Sequence, residues 1–268
     1  MLTEVHGRAA AKAAPLLAGL DHQLSVAAVL AGTMPGVVLV DDAADPRAVF
    51  VHSPEGNFVG GDPTGTPFVA DLRAHVAATF DPERDGGLVL SFDHDGWGRW
   101  AREIVPGPAP VVVPRRHYLL HPGPSRPRPD PPAGYRLVPI DAELLCRPGL
   151  PDHVRRWIAG NWGGEEAFLA QGFGVVARLG DDFAGWSVAD CAVGDRAEIG
   201  IHTAPAHRRR GLASQVAAAA ATIAFDRGLS EVGWHCNEDN PGSWHTAESA
   251  GFTLRRRYRF FVYSAGHS

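Results

Sequence analysis

Apolar and polar residues change their period along this chain, and the changes mark out its elements. Residues 2 to 31 carry apolar positions at helical spacing, with a break near Leu20-Asp21. Short β-rich runs follow at Val37-Val40, Ala48-His52 and Asn57-Val59, then a helix across Phe68-Thr79 and a strand at Leu88-Phe92. A short helix bearing Trp97 and Trp100 and a strand near Arg116-Leu120 complete a mixed α/β half.

Prolines crowd the stretch from His121 to Gly134. Proline fixes φ and cannot donate to a ladder, so this stretch predicts an extended, stiff linker. The expected organisation is an N-terminal α/β domain over 1–120, a linker over 121–134 and a second domain over 135–268.

The second half predicts short helices near Ala142-Cys146, Pro151-Ala159 and Glu165-Gln171, followed by strands at Val175-Arg178, Phe183-Ala189 and Ala197-Thr203. From Gly211 to about Arg227, Leu212, Val216, Ala219 and Ile223 fall at steps of three and four, the signature of one buried helix face. Val232, Trp234 and Cys236 alternate as in a strand; Asn240-Pro241 opens a helix ending at Gly251, and Thr253-Tyr263 is final strand material. No internal repeat is visible in the sequence.

At 268 residues the chain can bury two modest cores, and its formal charge of −5 argues against coating nucleic acid or an anionic membrane. Cys146, Cys191 and Cys236 are far apart with no C-x-x-C pair, which predicts neither a disulfide framework nor a metal site and suits a reducing cytoplasm. The first residues lack the basic and apolar regions of a signal peptide, and no apolar run is long enough to span a membrane. A cytoplasmic protein, monomer or homodimer, is expected.

Candidate chemistry begins at Arg208-Arg209-Arg210-Gly211-Leu212-Ala213, between a predicted strand and a predicted helix. A helix N-terminus offers unpaired N–H groups and the positive end of its dipole, and Gly211 and Ala213 let a phosphate reach the backbone. Such a turn suits a pyrophosphate. The spacing resembles the Q/R-x-x-G-x-G/A acetyl-CoA motif of the GNAT N-acetyltransferase superfamily. Glu198-Ile199-Gly200-Ile201-His202-Thr203 occupies the place of that superfamily's fourth strand, and Asn240, Ser243, Gly251 and Phe252 are similar to its N-x-x-S…G-F signature. With Trp234-His235-Cys236-Asn237 and Ala247-Glu248-Ser249-Ala250-Gly251-Phe252, the chain most resembles the zwittermicin A resistance-type GNAT acetyltransferases.

The resemblance implies an α+β chain: a C-terminal GNAT fold, with a mixed, mostly antiparallel sheet, a splayed strand pair and helices on both faces, preceded by a smaller, degenerate α/β domain. It implies acetyl-CoA as cosubstrate, with the backbone of Ile201, His202 and Thr203 pairing with pantetheine. The amides of Arg209, Arg210, Gly211, Leu212, Ala213 and Ser214 would hold the pyrophosphate, Arg208 would add charge, and Asn240 and Ser243 would flank the cofactor. The implied reaction is direct acetyl transfer to the amine of a small molecule in a ternary complex.

That reaction needs a base for the ammonium and a proton for the departing thiolate. Glu198 is the first candidate base, although its face of the strand is open because a bulge would reverse it. Many GNAT enzymes protonate the thiolate with a tyrosine at the position held here by Ala247, which leaves His235, His245 and Tyr258 as candidates. An acyl-CoA-binding module without efficient catalysis is the alternative.

Gly185-Trp186-Ser187-Val188-Ala189 is a loose nucleophile elbow, but its serine lies inside a predicted strand with no helix after it. Asp93-His94-Asp95-Gly96 lacks the remainder of a calcium loop, and Gly60 to Thr66 lacks the lysine of a P-loop; both read as turns.

Overall fold

The computed structural model describes residues 1–64, 66–81, 87–105, 107, 109–123 and 128–263. It divides into two compact units, Met1–Pro114 with Arg259–Ser268, and Arg115–Tyr258.

In the first unit, β1 (Thr3–Glu4), β2 (Val37–Val40), β3 (Ala48–Ser53), β4 (Gly56–Gly61) and β5 (Leu88–Phe92) lie in that order, and β5 then pairs with the end of β12 (Thr253–Tyr263). Strands β2, β3 and β4 form an antiparallel meander. Strand β5 runs parallel to β4, so the chain must cross over between them, and it does so through an α-helix, Phe68–Thr79. Phe68, Leu72 and Val76 of that helix pack on Phe50, Val59 and Leu90 of the sheet, with Trp97 closing the core.

The predicted helical run 2–31 is interrupted. Thr3–Glu4 pairs with β2, and the rest divides into the α-helix Gly7–Ala11 (α1), a 3₁₀ segment over Ala14–Leu20, and the α-helix Leu24–Ala31 (α2). The Val5 N–H donates to the Val38 carbonyl at 2.9 Å. A side-chain period carries no trace of that backbone pairing. The crossover helix Phe68–Thr79 is α3, and Ala101–Ile104 is α4.

In the second unit, β6 (Val111–Leu120, of which Arg115–Leu120 belongs here) is followed in the sheet by β11 (Glu231–Asn237), β10 (Arg196–Thr203), β9 (Asp182–Val193), β8 (Gly174–Leu179) and β7 (Tyr135–Pro139). Strands β8, β9 and β10 again form an antiparallel meander, and β11 is parallel to β10. Short helices α5 (Ala142–Leu145), α6 (Asp152–Trp162) and α7 (Glu165–Gln171) precede the sheet. Helix α8 (Leu212–Asp226) makes the crossover, and α9 (Pro241–Ser249) follows β11. Ala217, Ala220, Ala221 and Ala224 of α8 are buried, so the helix lies close on β8, β9 and β10, and alanine keeps it helical.

Both units therefore repeat one succession: antiparallel meander, crossover helix, parallel strand. They differ where the parallel strands meet. The β4–β5 ladder runs to Val59↔Phe92 and is extended by Asp93, whose N–H donates to the Val59 carbonyl (3.0 Å) and whose carboxylate accepts from the Gly61 N–H (3.3 Å). The β10–β11 ladder stops at Glu198↔Gly233, although both strands continue. This fork is the splayed pair expected from the resemblance.

The unit boundaries, at Pro114/Arg115 and Tyr258/Arg259, fall inside β6 and β12 rather than in the proline-rich stretch. Arg115–Leu120 pairs with β11, more than a hundred residues on, and composition cannot register a pairing of that range. Of the expected linker, residues 124–127 lie outside the described residues. Among the described residues no helix is long and apolar enough to cross a membrane.

Candidate active site

The fork opens toward the N-terminus of α8. Gly211, just before the helix, has φ +75°, and Arg209 has φ +59°, the one positive φ of a non-glycine residue among those described. A non-glycine residue held there costs about 1 kcal/mol, and such strain clusters where a backbone is shaped for a ligand. Left-handed residues on either side of Arg210 turn successive N–H groups into a concavity, and the dipole of a fifteen-residue helix adds positive potential. No atom lies within 4 Å of where a Gly211 Cβ would stand, so the space in front of the loop is open.

A cleft of about 550 Å³ runs from this loop to the fork and to α9. Ile201, His202 and Thr203 line it from β10; Arg208, Arg209, Gly211, Leu212, Ala213 and Ser214 from the loop and α8; Asn240, Ser243 and His245 from α9. Arg210, predicted with them, is not among its walls. Arg208 is tied back, its Nε donating to the Thr203 carbonyl at 3.2 Å. Asn240 caps α9 by accepting from the Ser243 N–H, and the Trp234 indole donates to the Ser243 hydroxyl at 3.1 Å. Burial lowers the pKa of His202, helped by neighbouring His153 and Arg208, so its ring is neutral at neutral pH.

Register settles the face of Glu198. The shift in the β9–β10 ladder skips Asp190 of β9, since Glu198 faces Cys191 and Ile199 faces Ala189. Strand β10 keeps its alternation, which puts Glu198, Gly200 and His202 on one face and buried Ile199 on the other. The bulge also aims Asp190 at Gly200, where its Oδ1 accepts from the Trp157 indole at 2.7 Å. Trp157 of α6 lies directly over Gly200.

Glu198 is only 5 % exposed and sits at the last rung of the ladder. Its Oε1 is 3.0 Å from His235 Nε2; His235 Nδ1 is 2.9 Å from the Tyr258 hydroxyl; and Arg115 Nε donates to that hydroxyl at 3.2 Å. His117, opposite His235 in the register, stacks on it with ring centroids 4.4 Å apart and planes 9° from parallel. Gly233 makes the room, because a Cβ there would stand 3.0 Å from Glu198 Cγ.

Three of the predicted catalytic residues, Glu198, His235 and Tyr258, are thus joined in one chain. The fourth, His245, stands apart on α9, two-thirds exposed and 3.9 Å from Glu248. Ala247 is fully buried in the core. Arg115 and His117 escaped the sequence reading, and the signal that could have found them is their alternation on a strand that has to lie beside β11. His117, Glu198 and His235 bring ligand-type atoms within 4.8 Å of one another. Because the two rings are stacked, an ion in the plane of one, where its lone pair points, lies well out of the plane of the other; the geometry is that of a hydrogen-bonded acid–base group.

The other sequence patterns resolve as turns and strand. Ser187 is in the middle of β9, its hydroxyl donating to the Gly200 carbonyl. His94 Nδ1 accepts from the Gly96 N–H at the start of a 3₁₀ turn. In the Gly60 to Thr66 segment, Asp62 accepts from the backbone and hydroxyl of Thr64, while Gly65 lies outside the described residues.

Comparison with known proteins finds the same fold along nearly the whole chain. An uncharacterised N-acetyltransferase of Bacillus subtilis, YdfB, is 22% identical over 239 residues, 88% of each chain. A GCN5-related N-acetyltransferase-like protein from Streptococcus suis superposes with a TM-score of 0.69 at 20% identity, covering 94% of this chain and 97% of that one. A tandem GNAT protein from the clavulanic acid biosynthesis pathway superposes with a TM-score of 0.61 at 14% identity, over 100% of this chain and 99% of its own. The model of the GNAT acetyltransferase family matches residues 14–261, and the chain belongs to that family of acyltransferases.

Proposed function

We propose that this protein transfers an acetyl group from acetyl-CoA directly to the amine of a small molecule, in a ternary complex, at the fork between β10 and β11. The observation that carries the reading is a cleft that joins the open edge of β10, from Ile201 to Thr203, to a helix N-terminus ringed by backbone N–H groups, with a buried carboxylate, Glu198, on the same strand at the last rung before the parallel ladder opens. The loop at Arg209–Ser214 suits a pyrophosphate, and the unpaired edge of Ile201–Thr203 suits an extended amide-bearing arm such as pantetheine.

Glu198 takes the proton of the acceptor ammonium, so that the nitrogen lone pair forms the N–C bond as the C–S bond breaks onto sulfur. The second proton lost by nitrogen and the one gained by the thiolate balance. Ser243 and His245, both lining the cleft, are the groups able to hand a proton to sulfur. General-base assistance of this kind is worth about 10²–10⁴ in rate. Within the family the motifs at 198–203, 208–213 and 234–252 support a place beside the zwittermicin A resistance-type enzymes, which fits a small amine acceptor.

Calorimetric titration with acetyl-CoA tests the cosubstrate, and no binding by the intact chain overturns it. A thiol-release assay across primary amines, from amino acids to amino-polyols, tests the reaction. Tight binding of acetyl-CoA with no turnover on any amine would favour a binding module instead.

A further inference from the structure

The chain that ends on Glu198 has a direction. Arginine has only donors and a carboxylate only acceptors. Arg115 Nε occupies the Tyr258 oxygen at 3.2 Å, so the tyrosine keeps its own proton for His235 Nδ1, 2.9 Å away. Nδ1 is then the acceptor of a neutral imidazole, and the ring proton sits on Nε2, facing Glu198 Oε1 at 3.0 Å. Every proton in the series points toward the fork. Arg115 also donates to Asn237 of β11, which fixes the guanidinium at its end of the series. His117, stacked 4.4 Å beneath His235, opposes the ring flip that would exchange nitrogen for carbon.

We propose that Arg115 and Tyr258 are positioning residues that set the tautomer of His235 and so aim its Nε2–H at Glu198, making the base a held carboxylate–imidazole pair. Without the tyrosine proton only the carboxylate still favours Nε2–H, and nothing at Nδ1 opposes a share of the Nδ1–H form. The charged or titratable groups that register and hydrogen bonds place at the pair are Arg115 and His117 on β6, Cys191 opposite Glu198 on β9 and Tyr258 on β12, with Asp190 aimed at Gly200 and exposed Arg256 two places before Tyr258. The proposal rests on the reading of Glu198 as the base.

Nitrogen NMR of the histidine-labelled free protein at neutral pH reads the tautomer directly. His235 is expected as the Nε2–H form in the wild type and in Arg115→Lys, and shifted toward Nδ1–H in Tyr258→Phe. The Nδ1–H form in the wild type, or an unchanged tautomer in Tyr258→Phe, overturns the proposal; the wild-type measurement decides even if a variant fails to fold. In the thiol-release assay with acetyl-CoA and the best amine of the panel, Tyr258→Phe is expected to lower kcat about tenfold, part of the general-base contribution, and to leave KM for acetyl-CoA in place. The acid limb of its rate profile moves to higher pH, because a carboxylate that loses a donor holds a proton more readily. A Glu198→Gln enzyme with full turnover overturns the base itself. An inactive Glu198→Gln beside an unmoved limb in Tyr258→Phe overturns only the positioning role.

Discussion

Single residues in this protein are constrained mainly by backbone conformation and by hydrogen bonds to burial-starved partners. Gly211 has open space around its missing Cβ, so the cost of Gly211→Ala is conformational, about 1 kcal/mol for an L-residue at φ +75°, together with a methyl in the concavity proposed for phosphate. Arg209 holds φ +59° with a side chain, so Arg209→Gly is expected to raise the melting temperature and Gly211→Ala to lower it. Calorimetry with acetyl-CoA should show a large loss for Gly211→Ala and a small one for Arg209→Ala; equal losses would mean that the guanidinium, not the backbone, holds the anion. Tyr263 illustrates the second constraint. Its hydroxyl donates to the Ala101 carbonyl at 3.0 Å, and burial pushes its pKa up to about 12. The folded state then holds that proton more tightly than the unfolded one, so its stability contribution is complete below pH 10 and is lost as pH rises toward 12. Denaturant melts of Tyr263→Phe should show about 1 kcal/mol less stability at neutral pH and a flatter alkaline slope.

At the scale of elements, the site depends on how α6 and two strands meet. A Cβ at Gly200 would stand 2.0 Å from Trp157 Cζ2 and 3.0 Å from Asp190 Oδ1, so Gly200→Ala must push α6 off the sheet, at about 1–3 kcal/mol. Adding Trp157→Ala should recover part of that loss in denaturant melts; strictly additive losses would show that the tryptophan is not what the methyl strikes. Much of this level could be read from the chain. The Gly211-Leu212-Ala213 turn, the alternation of Val232, Trp234 and Cys236, and the Asn240-Pro241 helix start are local signals, and each structural element begins within a residue or two of its signal. What stayed hidden is non-local. The bulge at Asp190 that decides the face of Glu198 exists only in the pairing of β9 with β10, and the meeting of His235 with Tyr258 and Arg115 requires β6 to lie beside β11 and β12 beside β6, strands from distant parts of the chain. The structural repeat was likewise invisible, because it conserves the order and direction of strands and not the residues in them.

For the molecule as a whole, that repeat raises the question of how many acetyl-CoA molecules one chain takes. The second unit has an open fork, a left-handed loop and a helix N-terminus facing an open cleft. In the first unit the corresponding fork is closed: the ladder continues to Val59↔Phe92, and Asp93 stitches both strands together through its N–H and its carboxylate. The segment entering α3 carries Asp62, whose pKa is lowered by hydrogen bonds from Thr64, so a negative charge stands where the second unit has a run of arginines. Closed strands leave no edge for an extended arm, and a fixed carboxylate repels a pyrophosphate at short range. The expected stoichiometry is therefore one acetyl-CoA per chain, and Gly211→Glu, which puts a carboxylate into the loop that enters α8, should abolish all heat of binding. A titration that reaches two per chain, or a Gly211→Glu variant that keeps half of the binding capacity, would place a second site in the first unit in spite of its closed fork.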